Sequence, residues 1–186
     1  MNSAGIYILG ISGSLRSQSS NTVLLHALSI LLPEDAYLEL YDQLDSLPHF
    51  NPDIDQEDKL ASINDFRQKL KAADAVVIST PEYAFGVPGV LKNALDWVVS
   101  SGEMNEKPVV AISASPLYGG GDKALNSLLL TLTALGTDMA GYASYSIPSI
   151  YKKLNFQGEI TDHETAGKLV SLMNELCRKV RDKRAM

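Results

Sequence analysis

Residues Ala75–Thr80 read AVVIST, and the eight that follow, Pro81–Pro88, read PEYAFGVP. The first run is β-branched, apolar on both parities and too short for a helix, which is the pattern of a strand buried on both faces of a parallel sheet. Working outward, similar short runs alternate with longer segments whose apolar residues recur at three and four. Upstream lie a strand at Ile6–Ser12 and a helix over Asn21–Leu32, with Leu24, Leu28 and Leu31 on one face and Pro33 as its stop. A second strand is expected at Tyr37–Tyr41, then a long Pro-, Asp- and Asn-rich loop, then a helix over Glu57–Ala72 with Leu60, Ile63, Phe66 and Leu70 inward. Downstream, a helix opens near Pro88, a residue suited to a first helical position, and buries Leu91, Ala94, Leu95 and Val98. A strand at Val109–Ala114 leads through Ser115–Gly121 into a leucine-rich helix carrying Leu125, Leu128, Leu129, Leu132 and Leu135. A fifth strand is expected within Asp138–Tyr145, and the last helix carries Leu169, Leu172, Met173, Leu176 and Val180. Repeated βα units predict one α/β domain over residues 1–186, a three-layer sandwich around a five-stranded parallel sheet of order 2-1-3-4-5.

Composition narrows the function classes. The 186 residues carry 16 Lys plus Arg against 22 Asp plus Glu, a net charge of −6, and one Cys. At this length a single core buries roughly 70% of the unfolded chain's surface, so no metal or disulfide staple is required. Cys177 has no internal partner, and no long apolar run or signal-peptide pattern points to export or a membrane, so a cytoplasmic location is expected. The basic residues cluster only at Arg178, Lys179, Arg181, Lys183 and Arg184, where they suit the end of a helix better than a nucleic-acid surface.

Three loops at the carboxyl edge of the expected sheet carry unusual chemistry. The first, Ser12–Asn21, offers five Ser hydroxyls, an Asn amide and one guanidinium immediately before a helix N-terminus. Helix capping asks for one such residue. The surplus suits a phosphate, which unpaired N–H groups, the helix dipole and the forked donors of Arg16 all favour. The second loop, Pro81–Pro88, combines stiff backbone with Tyr83 and Phe85, either a rigid core-filling turn or a platform for a planar ring. The third, Ser115–Gly121, ends in three glycines, either a connector or a wall that lets a ligand approach backbone closely.

Common alternatives fall short. GISG at Gly10–Gly13 lacks the GxGxxG dinucleotide fingerprint, no GxxxxGK[ST] occurs, and GISGS misses a GxSxG nucleophile elbow by one residue. His26, His49 and His163 show no metal-ligand spacing.

At these loops the sequence resembles the NADPH-dependent FMN reductase family of flavodoxin-like quinone, azo-dye and chromate reductases. GSLRSQSSN at Gly13–Asn21 is similar to the family's GSLRxxSxN, and PEYAFGVPGVLKNALDW at Pro81–Trp97 to its PEYNxSxPGxLKNAxDW. The resemblance implies that Ser14, Arg16, Ser19, Ser20 and Asn21 hold the FMN phosphate. It implies that Pro81, Glu82, Tyr83, Ala84 and Phe85 flank the isoalloxazine, and that Ser115, Gly119 and Gly120 approach its other edge. No catalytic side chain or metal is expected, since hydride would pass from NADPH or NADH through flavin N5 to a small electron acceptor, in ping-pong fashion. Glu82 reads as orienting the backbone. Ala84 departs from the family's Asn, and Tyr118 from a glycine-rich stretch. A homodimer or homotetramer is implied, with Asp96 and Trp97 as interface candidates against a place on the helix surface or in the core. An electron carrier of the flavodoxin kind, or a redox-silent nucleotide sensor, are the alternatives.

Overall fold

The computed structural model describes residues 5–55, 60–139 and 143–186. Its elements in chain order are β1 (Ile6–Ser12), α1 (Ser20–Ile30), β2 (Ala36–Tyr41), α2 (Ala61–Ala72), β3 (Ala75–Thr80), α3 (Gly89–Asp96), β4 (Val109–Ala114), α4 (Asp122–Ala134), β5 (Ser144–Ile147) and α5 (His163–Arg184). All strand pairings are parallel, in the order β2-β1-β3-β4-β5. The expected sheet and its order are present, with β3 and β4 at the predicted bounds and every residue of both buried.

Alternation along the strands divides the core. Leu9, Ile11, Val76, Ile78, Val109 and Ala111 face α2, α3 and α4, packing on Phe66, Leu70, Leu91, Leu95, Leu128 and Leu132. Ile6, Ile8, Ala75, Val77, Val110 and Ile112 face α1 and α5, against Leu24, Leu28, Leu169, Met173 and Leu176. Period two in the strands and 3.6 in the helices therefore meet in two apolar layers.

Some boundaries differ from expectation. The fifth strand is Ser144–Ile147, not within Asp138–Tyr145, and residues 140–142 of that range lie outside the described residues. It is an edge strand, SYSI, in which only Ile147 is fully covered, so its sequence lacks the apolar run that marked β3. The predicted start of the second helix at Glu57 also lies outside the described residues. Pro88 takes the N-cap of α3 with extended backbone rather than its first turn. The long loop after β2 is no featureless connector, since it holds short 3-10 turns at Leu44–Ser46 and Pro52–Ile54.

Cys177 is buried, and burial pushes its thiol above the ordinary range. The basic residues near the end of α5 each meet a carboxylate: Arg178 with Glu175 and Asp182, Lys179 and Lys183 with Asp138, Arg181 with Asp35, and Arg184 with Asp74. Among the described residues no helix is long and apolar enough to cross a membrane.

Candidate functional site

The carboxyl ends of β1, β3 and β4 bring the three unusual loops to one edge of the sheet. The first loop leaves β1 by crossing the end of β3, where the Gly13 amide donates to the Ser79 carbonyl at 2.8 Å. A Cβ on Gly13 would stand 2.9 Å from Thr80 Oγ1 and 3.0 Å from Leu91 Cδ2, so the close crossing excludes any larger residue. Ser14 Oγ accepts from the Arg16 amide at 3.3 Å, and Ser19 Oγ caps α1 by accepting from the Asn21 amide at 3.2 Å. The backbone N–H groups of Ser14, Leu15, Ser17 and Ser20 find no acceptor among the described residues. Arg16 is exposed, and its guanidinium joins no ion pair among them. Open amides, a helix N-terminus and an unpaired cation form a donor set matched to a dianionic phosphate.

Asn21 is held by bonds within the protein. Its side chain is 1% exposed, with Nδ2 donating to the Ala114 carbonyl at 3.1 Å and Oδ1 accepting from the buried Ser79 hydroxyl at 2.9 Å. The amide thus ties α1 to the ends of β3 and β4, from which the other two loops spring. It braces the site, with one N–H and one lone pair of the amide committed within the protein.

The second loop is a two-residue hairpin. The amides of Tyr83 and Gly86 donate to each other's carbonyls at 3.1 and 3.0 Å, and Ala84 and Phe85 between them have φ of 49° and 62°. Two successive positive φ values are the requirement of a type I′ turn, which ordinarily takes Asn and Gly. Ala84 therefore occupies a left-handed position that an Asn would tolerate at lower cost. Glu82, just before the turn, reaches across to α4, where one carboxylate oxygen accepts from the Lys123 and Ala124 amides at 2.9 and 3.1 Å. Helix α4 has Gly121 at its N-cap and no cap from its own side chains, so Glu82 satisfies its orphan donors and locks the second loop to the third.

In the third loop Ser115 Oγ accepts from the Leu117 amide at 3.1 Å. Gly120 has φ of 63°, and a Cβ there would lie 2.5 Å from Ser146 Oγ. Its glycine requirement comes from packing against the end of β5. Gly119 is exposed, with its carbonyl accepting from Ser146 Oγ at 3.3 Å.

A cavity of about 160 Å³ opens between the loops. Its walls gather Ser14, Arg16, Ser19, Ser20 and Asn21 from the first, Pro81, Glu82 and Tyr83 from the second, and Ser115 from the third. Ala84, Phe85, Gly119 and Gly120 are not among the residues that line it. Ala84 and Phe85 sit at the tip of the hairpin, and the two glycines turn toward β5. A second, more open cavity of about 360 Å³ shares Arg16 and Tyr83 with the first and continues over Leu15, Pro88 and Gly89. Arg16 and the half-exposed Tyr83 thus line both spaces.

The sequence reading missed Pro116, Leu117 and Tyr151 on the smaller cavity, and the buried bracing hydroxyl of Ser79. A serine closing the otherwise apolar AVVI was the available signal for Ser79. Tyr151 carries no local signal. Trp97 is fully buried, with Nε1 donating to the Pro48 carbonyl at 2.8 Å and its ring edge-on to Phe50 at 5.0 Å, so it is core and not an interface residue. Asn93 joins it, donating to the same carbonyl at 2.9 Å and accepting from the Phe50 amide at 2.8 Å. Asp96 is partly exposed and pairs with Lys92 along α3. His26, His49 and His163 are all exposed, and no group of metal ligands exists among the described residues.

Comparison with known proteins identifies the family. The sequence model of the family described as NADPH-dependent FMN reductase matches residues 6–152. The NAD(P)H-dependent FMN reductase of Pseudomonas aeruginosa is 35% identical over 159 residues, covering 84% of this chain and 85% of that one. The 2-hydroxy-1,4-benzoquinone reductase of a Burkholderia species is 31% identical over 177 residues, covering 94% and 96%. Among solved structures, FerB of Paracoccus denitrificans, a flavoenzyme NAD(P)H:(acceptor) oxidoreductase, superposes with a TM-score of 0.86 at 28% identity, covering 95% of this chain and 98% of that one.

Proposed function

Because this chain belongs to the NADPH-dependent FMN reductase family, whose members use FMN and NAD(P)H, we propose that it reduces a small quinone-type acceptor at the edge built from its first three βα loops. The observation that carries the reading is the donor set of the first loop, open amides with an unpaired Arg16, in one cavity with Tyr83. Those groups fit a flavin phosphate in charge and in donor chemistry. Bound FMN would supply the redox chemistry, taking a hydride from the nicotinamide and passing it to the acceptor.

The chain's own residues bind and orient. Ser14, Arg16, Ser19 and Ser20 hold the phosphate, with Asn21 fixing the loop that presents them. Pro81 and Tyr83 flank the ring, with the backbone of Glu82, Ala84 and Phe85 as hydrogen-bonding edge, and Ser115 stands opposite. Glu82 keeps this loop in place through α4. Overall, NAD(P)H and one proton convert the quinone to its hydroquinone, two electrons and a proton moving together as hydride and the second proton coming from solvent. No side chain forms a covalent bond. With one mononucleotide edge available, both substrates use the same ring face in turn, so double-reciprocal plots at several fixed acceptor concentrations run parallel. The deciding experiment is the absorbance spectrum of the purified protein before and after anaerobic NADPH or NADH. Yellow colour that bleaches, and returns on adding a quinone, supports the proposal. Stable yellow colour would leave an electron carrier or a sensor.

A further inference from the structure

Strand β3 ends in two hydroxyls, Ser79 and Thr80, both fully buried. Strand alternation sends them to opposite faces of the sheet. Ser79 turns toward α1, where its hydroxyl donates to Asn21 Oδ1. Thr80 continues the parity of Val76 and Ile78 toward α3, and a Cβ on Gly13 would stand 2.9 Å from its Oγ1, so the first loop passes directly over this hydroxyl. Thr80 Oγ1 donates to the Pro81 carbonyl at 2.9 Å, and that carbonyl has no other partner among the described residues.

Holding the carbonyl also aims an N–H. The Pro81–Glu82 peptide is trans, so its N–H points opposite to its C=O. With the carbonyl drawn to the α3 face, the Glu82 N–H turns to the α1 side, where Ser19, Ser20, Asn21 and Ser115 wall the cavity of about 160 Å³. Three second-loop residues line that cavity. Pro81 has no N–H, Tyr83 donates its own to the Gly86 carbonyl at 3.1 Å, and the Glu82 N–H has no acceptor among the described residues. The flanking groups are held as well, since the ring of Pro81 fixes its φ and the Glu82 carboxylate is bound by the Lys123 and Ala124 amides.

We propose that Thr80 is a positioning residue for the flavin: its buried hydroxyl holds the Pro81–Glu82 peptide so that the Glu82 N–H is presented to the ring as a fixed hydrogen-bond donor. The inference rests on the reading of the second loop as the flavin's edge. A donor fixed in advance favours whichever form of the ring carries more negative charge, so this contact stabilises reduced FMN more than oxidised FMN. Without the hydroxyl the Pro81 carbonyl is left buried and unpartnered. The peptide then rotates toward another donor, and the N–H leaves the ring with it.

Thr80→Val and Thr80→Ala remove the hydroxyl, the first keeping its shape and the second leaving room, while Thr80→Ser retains it. Amide hydrogen exchange followed by NMR, with and without FMN, reads the Glu82 N–H directly. FMN should slow its exchange at least tenfold in the wild type and in Thr80→Ser, and not in the other two variants. Titration with oxidised and with dithionite-reduced FMN gives the second readout. Thr80→Val and Thr80→Ala should lose about tenfold more affinity for reduced than for oxidised FMN, a fall of about 30 mV in the two-electron midpoint potential, and Thr80→Ser should restore the wild-type value. An equal loss in both oxidation states would make the hydroxyl merely structural and overturns the proposal. So does FMN protection of the Glu82 amide that survives in Thr80→Val and Thr80→Ala. Absence of that protection in the wild type also overturns it, and this measurement stands whether or not the variants fold. A wild type that binds no FMN in the titration fails the flavin reading itself, a result separate from bound FMN that leaves the Glu82 amide unprotected.

Discussion

Asn21→Ala separates a brace from a phosphate ligand. In the structure the Asn21 amide makes two buried hydrogen bonds, to the Ala114 carbonyl at 3.1 Å and from the Ser79 hydroxyl at 2.9 Å. Each such bond contributes about 1 kcal/mol net, and truncation leaves a dry carbonyl and a dry hydroxyl that together cost at least about 1 kcal/mol more. The expected loss is therefore about 3 kcal/mol in the apoprotein, and for a chain of this size it lowers Tm by roughly 6–12 °C. Ser79→Ala removes one of the two bonds and should cost about 1–2 kcal/mol, while the double variant should be less destabilised than the sum by about 1 kcal/mol. Urea denaturation of the four apoproteins measures all three quantities, and FMN titration of each gives the binding side. A side chain whose work is contact with phosphate would weaken FMN binding and leave apoprotein stability within about 0.5 kcal/mol of wild type. That result would refute the bracing assignment.

Arg16→Ala removes the unpaired cation of the first loop and should weaken FMN binding by about 1.5–3 kcal/mol with little change in apoprotein stability, read by titration of apoprotein with FMN. Ala84→Asn places a residue that tolerates positive φ where Ala now sits at 49°, and should stabilise the fold by about 0.5–1 kcal/mol in denaturant. The Asp162 carboxyl, at the N-cap of α5, is held down to about 2 by the Thr165 hydroxyl, then Lys153 and the Thr165 amide. Its folded pKa lies below the unfolded one, so its stabilisation is complete above about pH 4 and is lost as pH falls toward 2; Asp162→Asn should flatten that part of the stability profile.

The fold was legible where burial was complete. Strands β3 and β4 are apolar on both faces, and in such strands composition alone marks the ends. Strand β5 is half exposed at the sheet's edge, and SYSI gives a sequence reader neither an apolar run nor a clean alternation. The candidate site was legible at the level of loops for the same physical reason: surplus hydroxyls before α1 and a stiff aromatic turn after β3 have no use in a core.

What the residue pattern could not separate is a group that touches a ligand from one that holds such a group still. Asn21, Glu82, Gly120 and Trp97 all belong to conspicuous stretches, and all four are occupied within the protein. Each satisfies partners that lie far off in sequence: a strand-end carbonyl, the start of α4, the end of β5, the loop before α2. A short motif reports only that a position is demanding, because side-chain type is fixed as strictly by a buried hydrogen bond as by a phosphate. The distinction becomes visible once partners are counted. Arg16 is conspicuous in sequence and has no ion pair among the described residues, and that combination, rather than either half, is why we propose it as the anion's partner.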